Sequence, residues 1–511
     1  MPDITDAGAA APEPLRSRGL RADLESSAVD GGTRLRSALG RWRIGGLAGP
    51  AREVVKSLIK TPLDEASLHH ALDGDAAALA AVRRVLDGLP WLVTHSVADV
   101  RGTLLATATP VNRTARLLER RRLDPHSPAP LSRFALLRRL PDAPSGAGGF
   151  VLESPVSAYR VELLTVRACG FVGALALGRP VAQAAADASL TAAEGSALAS
   201  LLAELDLLEN PGGSAGHGRA EMLPMWEFHD LLFHHRSRYG LHDYAGGGNY
   251  AHADSRPAPP ALPDPSPLDG PGIDLPIPDW DAVLDRDATL TEVLEGRRSV
   301  RRYDADSPVT LEQLGELLYR AARVRAVHER DKSDPLSYAS VDRPYPGGGG
   351  MGELEIFLAV ERCAGLAPGI YRYDSAGHRL HPRSDDASRR AEMFAYAVKS
   401  TGGTLSHPQV LFTVTSRFDR LAWKYSAISY AVTLKHVGVL FQTLYLVATA
   451  MGLSPCGLGS GSSEAAARAL GLDWIAQPAV GEFALGGKPA DTSERGAGFS
   501  DVTAWAGRRG A

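Results

Sequence analysis

The stretch AISYAVTLKHVGVLFQTLYLVATAMGL, residues 427–453, is largely apolar from end to end. A run of that length must leave water, either as a membrane span or as a helix packed on most of its sides. Lys435, His436 and Gln442 lie inside it, and ionisable groups near the middle of a spanning helix are costly. The expectation is a helix buried in a core or a subunit interface, in a chain that does not cross a membrane.

The remaining composition fits a soluble globular protein. Of 511 residues, 44% are apolar and 22% charged, which is ordinary for such chains. The length allows about three domains at roughly 150 residues each. A formal net charge of −4 argues against a dedicated nucleic-acid binder, whose footprint is strongly basic. Cys169, Cys363 and Cys456 lie far apart, in neither a disulfide framework nor a metal-binding spacing. The opening MPDITDAGAAAPEPLRSRG lacks the apolar core of a secretory signal, so a cytoplasmic location is expected.

Punctuation and periodicity divide the chain. Residues 1–30 read as a disordered tail. Residues 31–125 read as a mostly helical module, from runs such as AALAAVRRVLDGLPWLV. In 126–212, RFALLRRL, GFVLESP and YRVELLT read as short strands, followed by helices over ACGFVGALALG and TAAEGSALASLLAELDLLE. Strands followed by small helices suggest a winged-helix-like module. Residues 213–279 read as a connector: the break NPGGSAGHGRA, the block MWEFHDLLFHHRSRYG (225–240), and a Pro/Gly-rich linker over 245–280. His229 and His234 lie close to one helical face, beside Asp230 and His235. No third ligand type is spaced nearby, so an amphipathic packing segment is favoured over a metal site. From 280 to 511, a helix opened by Thr310 and Gln313 and strands such as ELEIFLAV and VLFTVTS give an α+β domain.

Chemistry concentrates in this last domain. EGRRSVRRYD, residues 295–304, gathers Arg297, Arg298, Arg301 and Arg302 around Ser299. Guanidinium forks fit phosphate oxygens and a serine hydroxyl adds a donor; a solvated basic turn is the plainer alternative. In RPYPGGGGMGELEIFLAV (343–360), the run Pro346, Gly347, Gly348, Gly349 lets backbone N–H groups approach a ring system closely, or is simply a turn before a strand. Lys424 and Tyr425 stand just ahead of the long apolar stretch, as a surface pair or as proton-transfer groups. Cys456, in SPCGLG, reads as a small buried hydrophobe.

Taken with GIYRYDSAGHRL (369–380) and the closing blocks ALGLD and FALGGKP, these motifs resemble the SagB-type, or McbC-like, dehydrogenases of thiazole/oxazole-modified peptide biosynthesis. The 225–240 block resembles the Trp/His/Arg block that precedes the flavin domain in that family, so the likeness covers residues 130–511. It implies an α+β fold: a nitroreductase-like FMN-binding domain at the C-terminus, preceded by small winged-helix-like modules. It implies that Arg297, Arg298, Ser299 and Arg301 hold the flavin phosphate and ring edge. Pro346, Gly347, Gly348 and Gly349, and Gly457, Leu458 and Gly459, are the further implied flavin contacts, and no metal is implied. Lys424 and Tyr425 become the candidates for proton transfer, without a choice between them. The implied reaction oxidises thiazoline or oxazoline rings to azoles in a ribosomally made precursor peptide, which a separate cyclodehydratase prepares. The leader would dock on the N-terminal modules, and a homodimer would share its flavin sites between chains. A general NAD(P)H-dependent nitro or quinone reductase, and a non-catalytic scaffold subunit, are the alternatives.

Overall fold

In the computed structural model the chain divides between Tyr244 and Ala245. The structure describes residues 16–30, 32–45, 47, 49–119, 123–140, 149–209, 221–406 and 408–487. The first half of the expected tail and the break at 210–220 lie outside these residues.

Among the described residues the first unit has nine strands. They are β1 (Arg16–Leu20), β2 (Glu25–Val29), β3 (Gly32–Ser37), β4 (Gly40–Ile44), β5 (Val93–Ala98), β6 (Leu104–Pro110), β7 (Leu136–Leu140), β8 (Gly149–Glu153) and β9 (Tyr159–Leu163). β2, β3 and β4 form a small meander, and the others form one antiparallel sheet in the order β1-β5-β6-β9-β8-β7. Two expectations change. The tail carries β1 and β2, and the stretch expected to be mostly helical carries β3 to β6 besides its helices Gly49–Ser57, Glu65–His70 and Ala76–Gly88. β1 escapes a hydrophobicity reading because its outward positions are arginines. Arg16 pairs with Glu204 at 2.7 Å, and Arg18 with Glu65 at 3.0 Å and Asp87 at 3.1 Å, while Leu20 is buried. The shared sheet also joins 31–125 and 126–212 into one unit rather than two modules.

The strands read from 126–212 stand as β7, β8 and β9. Three helices follow, Val166–Ala176, Val181–Asp187 and Ala192–Glu204, the last opened by a Thr191/Glu194 capping box. The 225–240 block belongs to this unit and not to a connector. Arg236 and Arg138 both reach Glu153, at 2.6 and 2.7 Å. Asp243 takes Arg21 at 2.9 Å and Arg160 at 2.5 Å. His235 is buried, and burial pushes its imidazole down to about 4.

The second unit is a sheet between helices. Its strands are β10 (Ile273–Asp274), β11 (Ala326–His328), β12 (Ser340–Asp342), β13 (Leu354–Val360), β14 (Gly369–Asp374), β15 (Arg379–Ser384), β16 (Val410–Ser416), β17 (Ser454–Gly457) and β18 (Ala479–Gly486). Seven of them form an antiparallel sheet in the order β10-β15-β14-β13-β16-β18-β17. Side chains alternate along each strand. Ile356, Leu358, Phe412, Val414, Phe483 and Leu485 pack with the helices Leu311–Ala322 and Ser429–Ala450. Phe357, Ala359, Leu411 and Ala484 face the other way, with Met393, Ala397, Ala466 and Leu470 from the helices Ala387–Ser400 and Ser463–Leu470. The helix Ser429–Ala450 is long and apolar enough to cross a membrane by length and composition alone. Here it buries Thr433, His436, Val437, Leu440, Leu444 and Ala448, a stripe at helical spacing.

The Pro/Gly-rich stretch is fastened to this unit rather than free. Its carbonyls have few ladder partners, and buried side chains supply donors. Trp423 Nε1 donates to Arg256 O at 2.9 Å, and Arg420 Nη1 donates to Pro259 O. Arg420 is fully buried and also reaches Met351 O, at 2.9 Å from Nε and 2.7 Å from Nη2, and Ala339 O at 2.8 Å. Burial lowers its guanidinium to about 10. Replacing it strands three carbonyls, each unpaired buried group costing about 1–3 kcal/mol. Arg420→Met is therefore expected to destabilise the protein by about 3 kcal/mol or more in urea unfolding followed by tryptophan fluorescence. A loss below about 1 kcal/mol would show that water replaces the guanidinium.

Candidate functional site

Two clusters of side chains meet the helix Ser429–Ala450, and the first gathers around Tyr445. Gly457 N donates to Tyr445 Oη at 2.6 Å, and that hydroxyl lies 2.7 Å from Ser299 Oγ. Either hydroxyl can be the donor in this second contact. The Arg297 guanidinium stands 5.2 Å from the Tyr445 ring centroid. The turn carrying them is pinned at both ends: Val300 N donates to Pro455 O at 2.9 Å, and Ser406 N donates to Arg301 O at 2.8 Å. Among the described residues no carboxylate pairs with Arg297, Arg298 or Arg301. Three guanidinium groups close in sequence repel one another, and an anion relieves that. Gly457 has a steric reason to be glycine, because a Cβ there would lie 3.1 Å from Phe441 and 3.3 Å from Tyr445. Beside it, the partly buried Tyr303 ring packs against Gly486, and loss of solvent around its hydroxyl holds the phenol far above the ordinary range.

The second cluster gathers around Lys424, the last residue of the helix Phe418–Lys424. Lys424 Nζ donates to Tyr338 Oη, and Tyr338 Oη donates to Gly349 O at 3.0 Å. The ammonium lies 4.6, 5.2 and 5.9 Å from the ring centroids of Tyr338, Tyr425 and Tyr250. Burial pushes this ammonium down, but the Tyr338 hydrogen bond and the surrounding phenols outweigh it, and its pKa ends above the ordinary lysine value. Gly349 and Gly350 take φ of +65° and +62°, which glycine adopts without strain. Behind the loop, Gly348 N donates to His436 Nε2 at 2.7 Å, and His436 Nδ1 lies 2.6 Å from Glu353 Oε1. Since Nε2 accepts, Nδ1 carries the proton and donates to Glu353. His436 and Glu353 are both buried.

The structure thus brings Arg297, Ser299 and Gly457 together, and Lys424, Tyr425, Gly348 and Gly349 together. Arg298, Arg301, Pro346, Gly347 and Gly459 are exposed. Leu458 is buried in the core with Cys456 and Ala484, so its side chain is not available to a ligand. Tyr338, Tyr250 and Tyr445 were not singled out from the sequence. Lone tyrosines carry no motif, and only the fold shows that they meet Lys424 and Ser299.

Similarity to known proteins is found both in sequence and in structure. Residues 129–243 match the family model described as cyanobactin oxidase ThcOx, and residues 294–486 match that of the nitroreductase family. A Methanocaldococcus jannaschii protein, named as a candidate nitroreductase, is 26% identical over 191 residues, 37% of this chain and 86% of that protein. Among solved structures, a candidate nitroreductase of Ralstonia eutropha is 20% identical, covering 46% of this chain and 100% of that one, with a TM-score of 0.33. A chain of the Escherichia coli microcin synthetase McbBCD complex, solved with truncated pro-MccB17 bound, is 19% identical over 55% of this chain and 100% of that one, with a TM-score of 0.33. A candidate nitroreductase of Exiguobacterium sibiricum in complex with FMN is 14% identical, covering 43% of this chain and 96% of that one, with a TM-score of 0.29. The nitroreductase-family match thus falls in the second unit and the cyanobactin-oxidase match in the first, in a chain of mixed α+β class. The resemblance to McbC-like dehydrogenases read from the motifs stands with these matches.

One titrating group lies under the first cluster. Glu482 on β18 is buried, its carbonyl accepts from Leu458 N at 2.9 Å, and its carboxyl occupies the space that a Cβ on Gly461 would need. Burial raises this carboxyl to about 7 from an ordinary 4.5. A folded-state pKa above the unfolded one gives stability that is complete at acid pH and lost as pH rises through the folded value. The melting temperature is expected to fall between the two pKa values, by up to about 3 kcal/mol of stability. In Glu482→Gln that component of the fall disappears. Parallel melting curves for the two proteins across this pH range would show that Glu482 does not titrate with folding.

Proposed function

We propose that this protein is an FMN-dependent oxidase of azoline rings in a ribosomally made peptide, working in the cytoplasm with a cyclodehydratase as its upstream partner. The observation that supports this reading above the others is the pairing, in one chain, of a cyanobactin-oxidase segment with a nitroreductase-family domain. The residues fit a flavin mononucleotide. Arg297, Arg298 and Arg301 lack carboxylate partners among the described residues, as suits a phosphate clamp. Gly347, Gly348 and Gly349 offer no side chain to block a flat ring. Flavin bound there supplies a two-electron acceptor.

The protein's own part is to orient the peptide ring and take a proton from the ring carbon that was an α carbon. Lys424 is poorly suited to take it, because its surroundings hold the ammonium protonated. It is suited to stabilise negative charge on a neighbouring phenol. Tyr425 is then the proton acceptor, with Lys424 as its cation and Tyr338 fixing the lysine's position. A homodimer is part of the same reading. Tyr430 and Leu434, on the long helix, remain 43% and 40% exposed in the single chain, an apolar surface that a second copy would cover.

The direct test is mass spectrometry of a cyclodehydrated peptide incubated with the flavin-loaded protein, which should lose two hydrogens per ring. Absence of that loss beside fast NAD(P)H-driven nitro reduction would overturn the reading. Proton transfer by a placed side chain is typically worth about 100- to 10,000-fold in rate. Tyr425→Phe and Lys424→Ala are expected to keep flavin binding and lose oxidation on that scale. Arg297→Ala should weaken flavin binding roughly 10- to 100-fold, the worth of one charge-assisted bond, in a fluorescence-quenching titration. Flavin affinity equal to that of the unmodified protein would remove Arg297 from the phosphate site.

A further inference from the structure

The meander β2-β3-β4 alternates cleanly. Leu35, Trp42 and Ile44 turn inward to the core of the helices Gly49–Ser57 and Ala76–Gly88. Arg34, Arg36, Arg41 and Arg43 turn outward and are all exposed. The register sets them against each other: Arg34 lies directly opposite Arg43, and Arg36 opposite Arg41. Directly opposed side chains in an antiparallel pair are about 5 Å apart at Cβ, and like charges there are destabilising. Little on the protein relieves this. Glu25 stands 3.8 Å from Arg36, and Arg43 donates to the Asp30 carbonyl. Among the described residues no carboxylate pairs with Arg34 or Arg41.

We infer that this face is a docking surface for an acidic polypeptide segment, and specifically for an acidic stretch of the peptide substrate. The identity of that partner rests on the function proposed above; the charge argument does not. An extended peptide repeats its side chains every second residue, about 7 Å along the strand, which is also the spacing of Arg34 to Arg36 and of Arg41 to Arg43. Guanidinium forks take carboxylates two bonds at a time. The patch is one meander wide and bordered by the Glu25 carboxylate, and the chain as a whole is acidic at −4. Both features disfavour a nucleic-acid backbone.

The test uses the full-length protein and fluorescein-labelled poly-L-glutamate, read by anisotropy at low and high salt. Binding should weaken steeply with salt. Arg34→Ser/Arg41→Ser should weaken it by about tenfold or more, while the charge-matched control Arg379→Ser/Arg468→Ser changes it little. The melting temperature of the first variant should hold or rise, because a repulsion has been removed. A fall in melting temperature would make the arginines structural and overturn the inference. So would equal poly-glutamate binding by the two variants, or a DNA oligonucleotide of equal charge binding more tightly through the same arginines. Poly-glutamate binding requires neither flavin nor turnover, so a failure here is separable from a failure of the azoline-oxidation assay.

Discussion

Burial of one stripe of the helix Ser429–Ala450 against the sheet sets the rest of the second unit. Val437, Leu440 and Leu444 fill the core shared with β13, β16 and β18. Each such side chain is worth about 1.5–3 kcal/mol when taken out of water. The stripe also fixes rotation. Turning the helix by one residue, about 100°, would drive Lys435 toward the core where His436 now sits. With the helix locked, His436 faces Glu353 and the glycine loop, and Tyr445 faces Ser299 and Gly457. Neither cluster needs its own scaffold, since one apolar contact positions both.

The sequence exposed the parts of this site whose chemistry is local. The arginines of 297–301, the glycine run and the Lys424–Tyr425 pair are legible because several residues of one kind stand side by side. Parts assembled over distance were not. Tyr338 lies 86 residues from Lys424 and carries no pattern of its own. The same contrast holds for the fold. β13 apart from Glu355 and the first three residues of β16 are apolar, and both strands bury both faces, whereas β1 is rich in arginine and is held by Glu204, Glu65 and Asp87 besides its pairing with β5. The Pro/Gly-rich stretch reads as a linker because it lacks period and ladder. Its order comes from donors elsewhere, Trp423 and Arg420, whose burial cannot be read from neighbouring letters.

Glycine and lysine in the second cluster constrain each other. Gly349 is required by its φ of +65°, and required again by its neighbours. A Cβ there would lie 2.8 Å from Lys424 Nζ, 2.9 Å from Tyr338 Oη and 3.2 Å from Tyr425 Oη. Any side chain at 349 would therefore push the ammonium away from its phenols before it disturbed the loop. Conversely, the ammonium stays where it is because Tyr338 is itself anchored to the Gly349 carbonyl. The loop and the cation thus form one mechanical piece, backed from inside by His436 through Gly348. An ammonium held this way keeps its proton, so what it offers a substrate is fixed positive charge at a known place. Under the function proposed above, the proton-accepting part falls to the phenols around it, and among these Tyr425 is the one that its own chain connects directly to Lys424.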